Sequence, residues 1–181
     1  PCVSVAVWVL PEFLKDYNFK KVSTCEVTIM AGKILQGGEY LIAETPCADV
    51  FTPEDFTDEQ RQMGETVEQF LTAEIYPKTE EIDKQDFTIV VEGMKKCGEL
   101  GLLMMDAPEE YGGLELDKAS TMLVSEKMSQ GGSFSVAFSA HTGIGTLPLV
   151  YYGTKAQKEQ YLEKITSGEW CAAYCLTEPG S

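Results

Sequence analysis

TDEQRQMGETVEQFLTAEI, residues 57–75, carries the strongest structural signal in this sequence. Its apolar residues recur every three or four positions, at Met63, Val67, Phe70, Leu71 and Ile75. That spacing puts them on one face of an amphipathic helix. Thr57 and Gln60 supply the hydroxyl and the amide of a capping box, which predicts where the helix begins. Pro77 is predicted to bend or end it.

More helices are predicted after this one, each from an apolar stripe with a start or stop signal. One carries Ile89, Val90, Met94 and Cys97 and ends near Gly98 or Gly101. The others begin at Asp117, at Ser133, at Pro148 and at a second capping box, Thr154 to Gln157, whose helix ends at Gly168. Residues 170–176 are predicted as a β-strand and residues 177–181 as a turn. The predicted fold class is therefore mainly α, a helical bundle followed by the first strand of a β domain.

Composition and charge narrow the class of protein. The chain has 181 residues, 44% of them hydrophobic, with 29 acidic and 14 basic side chains and a net charge of −15. A core of ordinary size is expected, and disorder as the main state is not. The acidic balance argues against nucleic acid as a partner, because such binding needs a basic face. No apolar run reaches the ~18 residues of a spanning helix, so no transmembrane segment is predicted.

The sequence changes character along its length. Residues 1–29 differ from the rest of the chain, and Met30 begins a stretch typical of a natural N-terminus. We therefore predict a leader at 1–29 that is foreign to the functional protein, an arm at 30–56, a helical domain at 57–168 and the start of a truncated β domain at 169–181. Because the chain begins at Pro1 and stops just after a turn, we interpret it as a fragment.

The cysteines and the single histidine offer no metal site. Six cysteines are scattered along the chain, which favours free thiols over a disulfide framework or a zinc site. His141 lies on an apolar helix face, where we expect a packed residue whose ring nitrogens cap a neighbouring helix. The acidic pairs at 54–55 and 80–81 are expected to be solvated surface.

The C-terminal stretch has a chemical character of its own. Tyr174 to Ser181 brings a hydroxyl group and free backbone N–H groups to the end of the predicted strand, where a Pro-Gly turn begins. Backbone amides left unpaired at such a turn can meet the polar edge of a planar heterocycle. On its own this pattern is also typical of an ordinary turn.

Several motifs together resemble the acyl-CoA dehydrogenase family. The stretch WCAAYCLTEPGS at 170–181 resembles the family's flavin-binding signature, and PEEYGGL at 108–114 its characteristic loop. YGTKAQKEQYL at 152–162, with Ile165 and Gly168, is similar to the helix before its first strand, and FTDEQ at 56–60 to its first helix start. The resemblance spans residues 37–181. It is closest to the very-long-chain branch through residues 140–141, 153–159 and 175–178.

The resemblance implies a fold and a reaction. The family has an N-terminal helical domain, a central β domain and a C-terminal helical bundle, and its FAD oxidises an acyl-CoA to the trans-2-enoyl-CoA. A glutamate in the C-terminal bundle is the base, so the resemblance implies no catalytic residue in this chain, and Glu178 is not assigned that role. The implied pathway is fatty-acid β-oxidation.

The resemblance also implies site residues. Tyr174, Leu176 and Thr177 match the positions that contact FAD. Val136, Ala140 and Ile144 match positions on the fourth helix that line the acyl cavity. Since shorter-chain members carry larger polar side chains at the first two of these positions, the small ones here predict a deeper cavity for long acyl chains.

Two alternatives remain beside a long-chain dehydrogenase. One is a helical interaction module without catalysis, and the other is a related acyl-CoA oxidase. The resemblance implies acyl-CoA as substrate, an electron-transfer flavoprotein as acceptor and a homo-oligomer. A bacterial cytoplasm or a mitochondrial matrix is the expected location.

Overall fold

The computed structural model describes residues 39–44, 46, 50–177, 179 and 180. These residues fall into two compact units that divide in sequence between Asp58 and Glu59. The predicted leader at 1–29 lies outside the described residues, as do Cys2, Cys25 and Cys47, so the predictions about them remain predictions. The proposed domain boundaries, between residues 56 and 57 and between residues 168 and 169, also remain predictions.

The N-terminal unit contributes short turns to the described part of the chain. Glu39–Leu41 and Pro53–Asp55 each form one turn of 3₁₀ helix. The carboxylate of Asp55 accepts a hydrogen bond of 2.8 Å from the backbone N–H of Thr52, which closes the second turn. Phe51 and Phe56 pack edge to face across it, with ring centroids 5.2 Å apart.

Between residues 58 and 166 the described chain is mostly helical. Its seven α-helices are α1 Asp58–Phe70, α2 Thr79–Asp83, α3 Phe87–Glu99, α4 Lys118–Met128, α5 Ser133–Ser139, α6 Leu147–Tyr152 and α7 Lys155–Thr166. Two of them extend into wider π turns, α1 through Leu71–Ile75 and α5 through Ala140–Gly145. The prediction of a mainly α fold is confirmed.

The first helix follows its apolar stripe. Val67, Phe70, Leu71 and Ile75 are buried in the main core, and Met63 packs against its edge. Pro77 lies in a 3₁₀ turn at Tyr76–Lys78, after which α2 begins at once. The first helical segment therefore ends before Pro77, whose ring is tolerated in the first turn of the next segment because that position needs no N–H donor.

The third helix has clear signals at both ends. The side chain of Asp86 accepts a hydrogen bond of 3.0 Å from the N–H of Thr88 and caps the start. At the other end Gly101 takes a φ of +77°. The N–H of Gly101 bonds to the carbonyl of Gly98 and the N–H of Leu102 to that of Cys97, which is the Schellman pattern.

Most of the other predicted helix starts are confirmed. Asp117 caps α4 through the N–H of Ser120, and Thr154 with Gln157 forms the capping box of α7. The prediction that Ser133 caps the fourth of the predicted helices, which is α5 in the structure, is wrong. Gly132, with a φ of +58°, precedes that helix, and the Ser133 hydroxyl donates instead to the carboxylate of Asp83 in α2, at 2.7 Å.

The start of α4 is also joined to α1. The side-chain amide of Gln60 donates to the Asp117 carboxylate at 3.3 Å and to the Ser120 hydroxyl at 3.1 Å. Burial acts to raise the pKa of Asp117, but the hydrogen bonds from Ser120 and Gln60 outweigh it and lower that pKa. The buried amide is thereby satisfied by the cap of another helix.

Two glycines let α3 cross the end of α7 at very short range. A Cβ atom on Gly98 would lie 2.1 Å from the carbonyl oxygen of Ser167. A Cβ atom on Gly168 would lie 2.8 Å from the carbonyl oxygen of Met94, and its φ is +74°. This backbone-to-backbone contact sets where α7 ends and where residues 169–177 leave the bundle.

A smaller core forms under α6 and α7. Leu149, Val150, Leu162 and Ile165 are buried there together with Ala107 and Ala172. Tyr161 of α7 packs against Trp170, with ring centroids 6.1 Å apart, and the Lys164 ammonium lies 4.5 Å above the Trp170 ring. These contacts hold the beginning of the C-terminal segment against α7.

The predicted strand at 170–176 has no partner in this structure. Residues 171–177 form neither helix nor turn, and no β-strand occurs among the described residues. A strand exists only when its backbone pairs with a neighbouring strand. The prediction of the first strand of a β domain is therefore not realised within the described part of the chain.

His141 ties this C-terminal segment to the bundle. Its side chain is buried in the π turn that extends α5. The N–H of Ala172 donates to Nδ1 at 3.0 Å, and Nε2 lies 3.1 Å from the carbonyl oxygen of Ile165. Because Nδ1 accepts, the proton of the neutral ring is on Nε2, which donates to Ile165. The expectation of a packed histidine that caps a neighbouring helix is confirmed.

The first prediction tests the crossing of α3 and α7. Gly98→Ala is expected to lower the free energy of unfolding by about 3 kcal/mol, the upper end of the usual cost of overpacking, because the backbone of Ser167 blocks the new methyl group. Gly143→Ala is the matched control, since a Cβ atom there meets nothing within 4 Å. Urea unfolding of both variants makes the comparison, and equal stability would contradict the crossing.

The second prediction concerns pH. Burial lowers the pKa of His141 from 6.5 to about 4, although the bond to the Ile165 carbonyl acts in the opposite direction. The unfolded chain therefore takes up a proton at a pH where the folded chain does not. Stability that is fully present above pH 6.5 should fall as the pH drops toward 4, by about 3 kcal/mol in all.

Urea unfolding at several pH values, compared between the parent and His141→Gln, isolates this contribution from that of the carboxylates. The variant should lose the part of the slope between pH 6.5 and 4 that His141 supplies. An identical slope in both proteins would show that the ring titrates normally in the folded state.

Candidate functional site

The candidate substrate residues lie on the outer face of α5 and its π turn. Val136, Ala140 and Ile144 are spaced four residues apart, so they succeed one another along that face. Val136 is 72% exposed and Ile144 54% exposed, while Ala140 is half-buried. The structure therefore brings the three together as one apolar strip, which we call the α5 strip.

The opposite side of the same segment is anchored in the core. Phe134 and Phe138 are buried in the main core, and His141 and Gly145 are buried beyond them. The hydroxyl of Thr146 donates to the carbonyl of His141 at 2.6 Å, and that of Thr142 to the carbonyl of Phe138 at 3.0 Å. These bonds occupy carbonyl groups at the π turn, a type of distortion that is frequent at functional sites.

The candidate cofactor residues lie on the C-terminal segment. Tyr174 is 48% exposed and Leu176 71% exposed, and Thr177 is exposed as well. Along this segment the last described backbone hydrogen bond is the one from the N–H of Ala172. None is described for the backbone of residues 173–177. The segment thus offers several N–H and C=O groups in a row, together with the Thr177 hydroxyl.

The π turn that extends α5 meets the C-terminal segment at Ala172, on the side opposite to the α5 strip. Its N–H is bonded to His141, which lies between Ala140 and Ile144 in the sequence. A Cβ atom on Gly145 would lie 2.8 Å from the Cβ of Ala172, so the two backbones are in close contact. The helical segment that carries the candidate substrate residues and the segment that carries the candidate cofactor residues are therefore joined at Ala172, through the buried side of the π turn.

This junction is the part of the site that sequence reasoning missed. The sequence predicts that His141 is packed and that Tyr174, Leu176 and Thr177 face a ligand, but it does not connect the two. Gly145 and Ala172 carry no signal in the sequence that would single them out. A lone histidine flanked by small residues, in a helix rich in Ala, Ser and Gly, is the only hint.

The thiols and acidic groups add no further chemistry to the site. Burial raises the pKa of Cys97 to about 12, so this thiol stays protonated and unreactive. Cys171 and Cys175, near the candidate cofactor residues, are thiols outside any disulfide bond. Within the described ranges, no group of three His, Cys, Asp or Glu side chains could hold a metal ion. Glu178 and Ser181 lie outside those ranges.

None of the described helices is long and apolar enough to cross a membrane. The assignments of Tyr174, Leu176 and Thr177 to a cofactor, and of Val136, Ala140 and Ile144 to a substrate, remain predictions. What the structure adds is that both trios are accessible, Ala140 in part, and that the segments carrying them are joined at Ala172.

Known proteins with similar sequences share this architecture. A probable acyl-CoA dehydrogenase of Bacillus subtilis is 48% identical over 151 residues, which cover 83% of this chain and 25% of the relative. The mitochondrial isovaleryl-CoA dehydrogenase of Pongo abelii is 39% identical over 127 residues, 69% of this chain and 30% of that protein. The chain thus spans about a quarter to a third of the length of these relatives.

A solved structure agrees with the sequence comparison. The acyl-CoA dehydrogenase of Bacillus anthracis, solved in complex with FAD, superimposes with a TM-score of 0.78 at 46% identity. The match covers 82% of this chain and 25% of that one. Residues 57–169 match the family description "Acyl-CoA dehydrogenase, N-terminal domain". Because that match takes in all seven of the described α-helices, the chain belongs to the acyl-CoA dehydrogenase family and contains its N-terminal domain.

Proposed function

We propose that this chain is the N-terminal helical part of an FAD-dependent dehydrogenase that oxidises long-chain acyl-CoA to trans-2-enoyl-CoA. The observation that carries the proposal is the junction at Ala172. The helical segment with an apolar strip suited to an acyl chain is bonded there to the segment whose backbone groups suit a polar ring.

The residues present fit a flavin. The backbone of residues 173–177 has N–H donors and C=O acceptors without described partners, and the pyrimidine edge of a flavin alternates acceptors and donors in the same way. The hydroxyl of Thr177 can donate as well as accept. Tyr174, Leu176 and Thr177 would hold FAD, which when bound supplies a hydride acceptor for the reaction.

The α5 strip is proposed to bind the acyl chain. Its three side chains are apolar, and burying them against a hydrocarbon chain is favourable at about 25 cal/mol per Å² of apolar surface. Because the strip is anchored on its inner side by Phe134 and Phe138, it offers a preformed wall. An acyl chain on this wall would have its reactive end near the segment that begins at Ala172.

Long acyl chains are proposed because the strip carries small side chains at positions where larger ones would block part of the apolar surface. Ala140 has only a methyl group, and Val136 is short and apolar. The relatives differ in the acyl group that their names give, isovaleryl among them, so chain length rests on these side chains. Each methylene accepted or refused by such a pocket changes the binding free energy by about 1–3 kcal/mol.

The remaining parts of the proposal concern the whole protein. A base outside this chain would remove the α-proton of the substrate, and an electron-transfer flavoprotein would accept the electrons. We also propose a homo-oligomer in the β-oxidation of fatty acids. The scatter of the six cysteines along the sequence favours free thiols, and we propose a reducing compartment on that ground, a bacterial cytoplasm or a mitochondrial matrix.

An oxidase and a module without catalysis are the competing functions. An oxidase would consume oxygen while it oxidises acyl-CoA, whereas a dehydrogenase would need an added electron acceptor. A non-catalytic module would retain no FAD at all. Measuring bound flavin, oxygen uptake and acceptor-dependent oxidation in the full-length protein separates the three.

The third prediction tests the cofactor contact. Thr177→Val in the full-length protein should weaken FAD binding about 3–10-fold, because one hydrogen bond worth about 0.5–1.5 kcal/mol is lost. Thr72→Val is the matched control, since its exposed hydroxyl bonds only to the carbonyl of Glu68, one turn earlier in the same helical segment. Flavin occupancy after dialysis is the measurement. Equal occupancy in both variants would refute the contact.

The fourth prediction tests the acyl wall. Ala140→Gln in the full-length protein should place a bulky amide in the middle of the strip, between Val136 and Ile144, and depress kcat/KM for long acyl-CoAs while sparing short ones. Overpacking costs about 1–3 kcal/mol and an unpaired amide about 1–3 more. Ser139→Gln places the same amide on a neighbouring exposed position as a control.

The comparison uses acyl-CoAs from short to very long chains. A parent enzyme that prefers short chains, or a loss in Ala140→Gln that is equal at every length, would rule out α5 as the element that sets chain length. In that case the long-chain assignment would be withdrawn.

A further inference from the structure

We propose that His141 is a positioning residue, which fixes the register of the flavin-facing segment by holding the backbone of Ala172. The inference rests on the proposed function for its consequence in flavin binding. The geometry that motivates it stands independently, in the two hydrogen bonds of one buried ring.

The two ring nitrogens have different tasks. Nε2 donates to the carbonyl of Ile165 in the last turn of α7, which orients the ring within the bundle. Nδ1 then presents its lone pair to the N–H of Ala172 at 3.0 Å. The first bond orients the ring, and the second uses the oriented ring to hold the C-terminal segment.

The anchored residue sets the direction of the backbone groups after it. In an extended chain, the N–H and C=O groups of residues i and i+2 point to the same edge. Ala172 shares this parity with Tyr174 and Leu176, two of the proposed flavin contacts. When the N–H of Ala172 is directed at His141, the edge on which the groups of Tyr174 and Leu176 lie is decided as well.

Distance limits how far the anchor can act. In a fully extended conformation, at about 3.3 Å per residue, Tyr174 would lie about 7 Å beyond Ala172 and Leu176 about 13 Å beyond it. The described backbone bonds offer no later anchor before Thr177. His141 is therefore the last polar attachment of the segment to the bundle within the described residues.

A steric contact supports the same register. The Cβ of Ala172 and its carbonyl carbon would lie 2.8 Å and 3.0 Å from a Cβ atom on Gly145. Only a glycine allows this approach without displacement of the segment. Gly145 lies four residues after His141 in the same π turn, so one local distortion provides both the hydrogen bond and the space.

Two substitutions separate the tasks of the ring. In His141→Asn, the carboxamide oxygen takes the place of Nδ1 and can still accept from the N–H of Ala172, while the bond to Ile165 is lost. In His141→Gln, the longer side chain reaches the place of Nε2 and can donate to Ile165, while the acceptor for Ala172 is lost. Leu162→Ala is a third variant. It should destabilise the core cluster that contains Ile165 and Ala172, but it removes neither hydrogen bond of His141.

The measurements are made on the full-length protein with FAD as the probe. They are the dissociation constant of FAD from flavin fluorescence, the flavin absorption spectrum, the hydrogen exchange of residues 172–177 and the urea midpoint. We expect FAD binding in His141→Asn and Leu162→Ala to stay within about twofold of the parent. His141→Gln should bind FAD about 3–10-fold more weakly, the equivalent of one lost hydrogen bond, and should exchange residue 172 faster.

Other outcomes overturn the proposal. If FAD affinity falls in step with stability in all three variants, His141 acts only on the fold. If His141→Gln binds FAD like the parent, the bond to Ala172 does not set the register. A parent protein that binds no FAD would instead refute the proposed function. Hydrogen exchange would then still test whether His141 holds the N–H of Ala172. Equal exchange at residue 172 in His141→Asn and His141→Gln would refute that contact.

Discussion

The imidazole of His141, with one nitrogen bonded to Ile165 and the other to Ala172, joins three parts of the chain at one buried point. The α5 strip, the end of α7 and the C-terminal segment all depend on it for their relative placement. A neutral ring suits this task, because it offers one donor and one acceptor on opposite sides of a rigid plane. Serine or lysine could not satisfy the same pair of backbone groups across that distance.

The surrounding packing makes this hydrogen-bonded link specific. The crossing of α3 over the end of α7, at Gly98 and Gly168, determines where the carbonyl of Ile165 lies. The close contact of Gly145 with Ala172 determines how near the C-terminal segment can come. Because both contacts are between backbones, they tolerate little adjustment. The ring therefore has one position, and its low pKa results from that dry, well-packed setting.

The two sides of α5 have separate roles in the proposed function. The inner side is committed to the core through Phe134 and Phe138, and the outer side is left apolar and accessible. The C-terminal segment is held at Ala172 and extends beyond it with its backbone groups accessible. A ligand with a hydrocarbon chain and a ligand with a polar ring could therefore bind to two segments that are joined at Ala172.

Much of this protein could be predicted from its sequence because the decisive forces were local. The helical spacing of Val67, Phe70, Leu71 and Ile75, the cap at Asp117 and the capping box at Thr154 depend on neighbours within a few residues, and all were confirmed. The prediction of Ser133 as a cap failed because a distant carboxylate, Asp83, competes for its hydroxyl. The strand predicted at 170–176 is not seen among the described residues, because a strand forms only with a partner, whatever its own sequence prefers.

The candidate site divides in the same way. Its residue types, the small apolar side chains of the α5 strip and the backbone groups with Thr177, could be inferred from the sequence and its resemblance to a family. Their adjacency could not, because His141 and Ala172 are 31 residues apart and meet only after α6 and α7 have packed. Local sequence was enough to specify every α-helix except the short α2, and which surfaces are apolar, since both depend on short-range periodicity. The common anchor of the two surfaces required the packed chain, since a buried hydrogen bond exists only where packing brings both partners out of water.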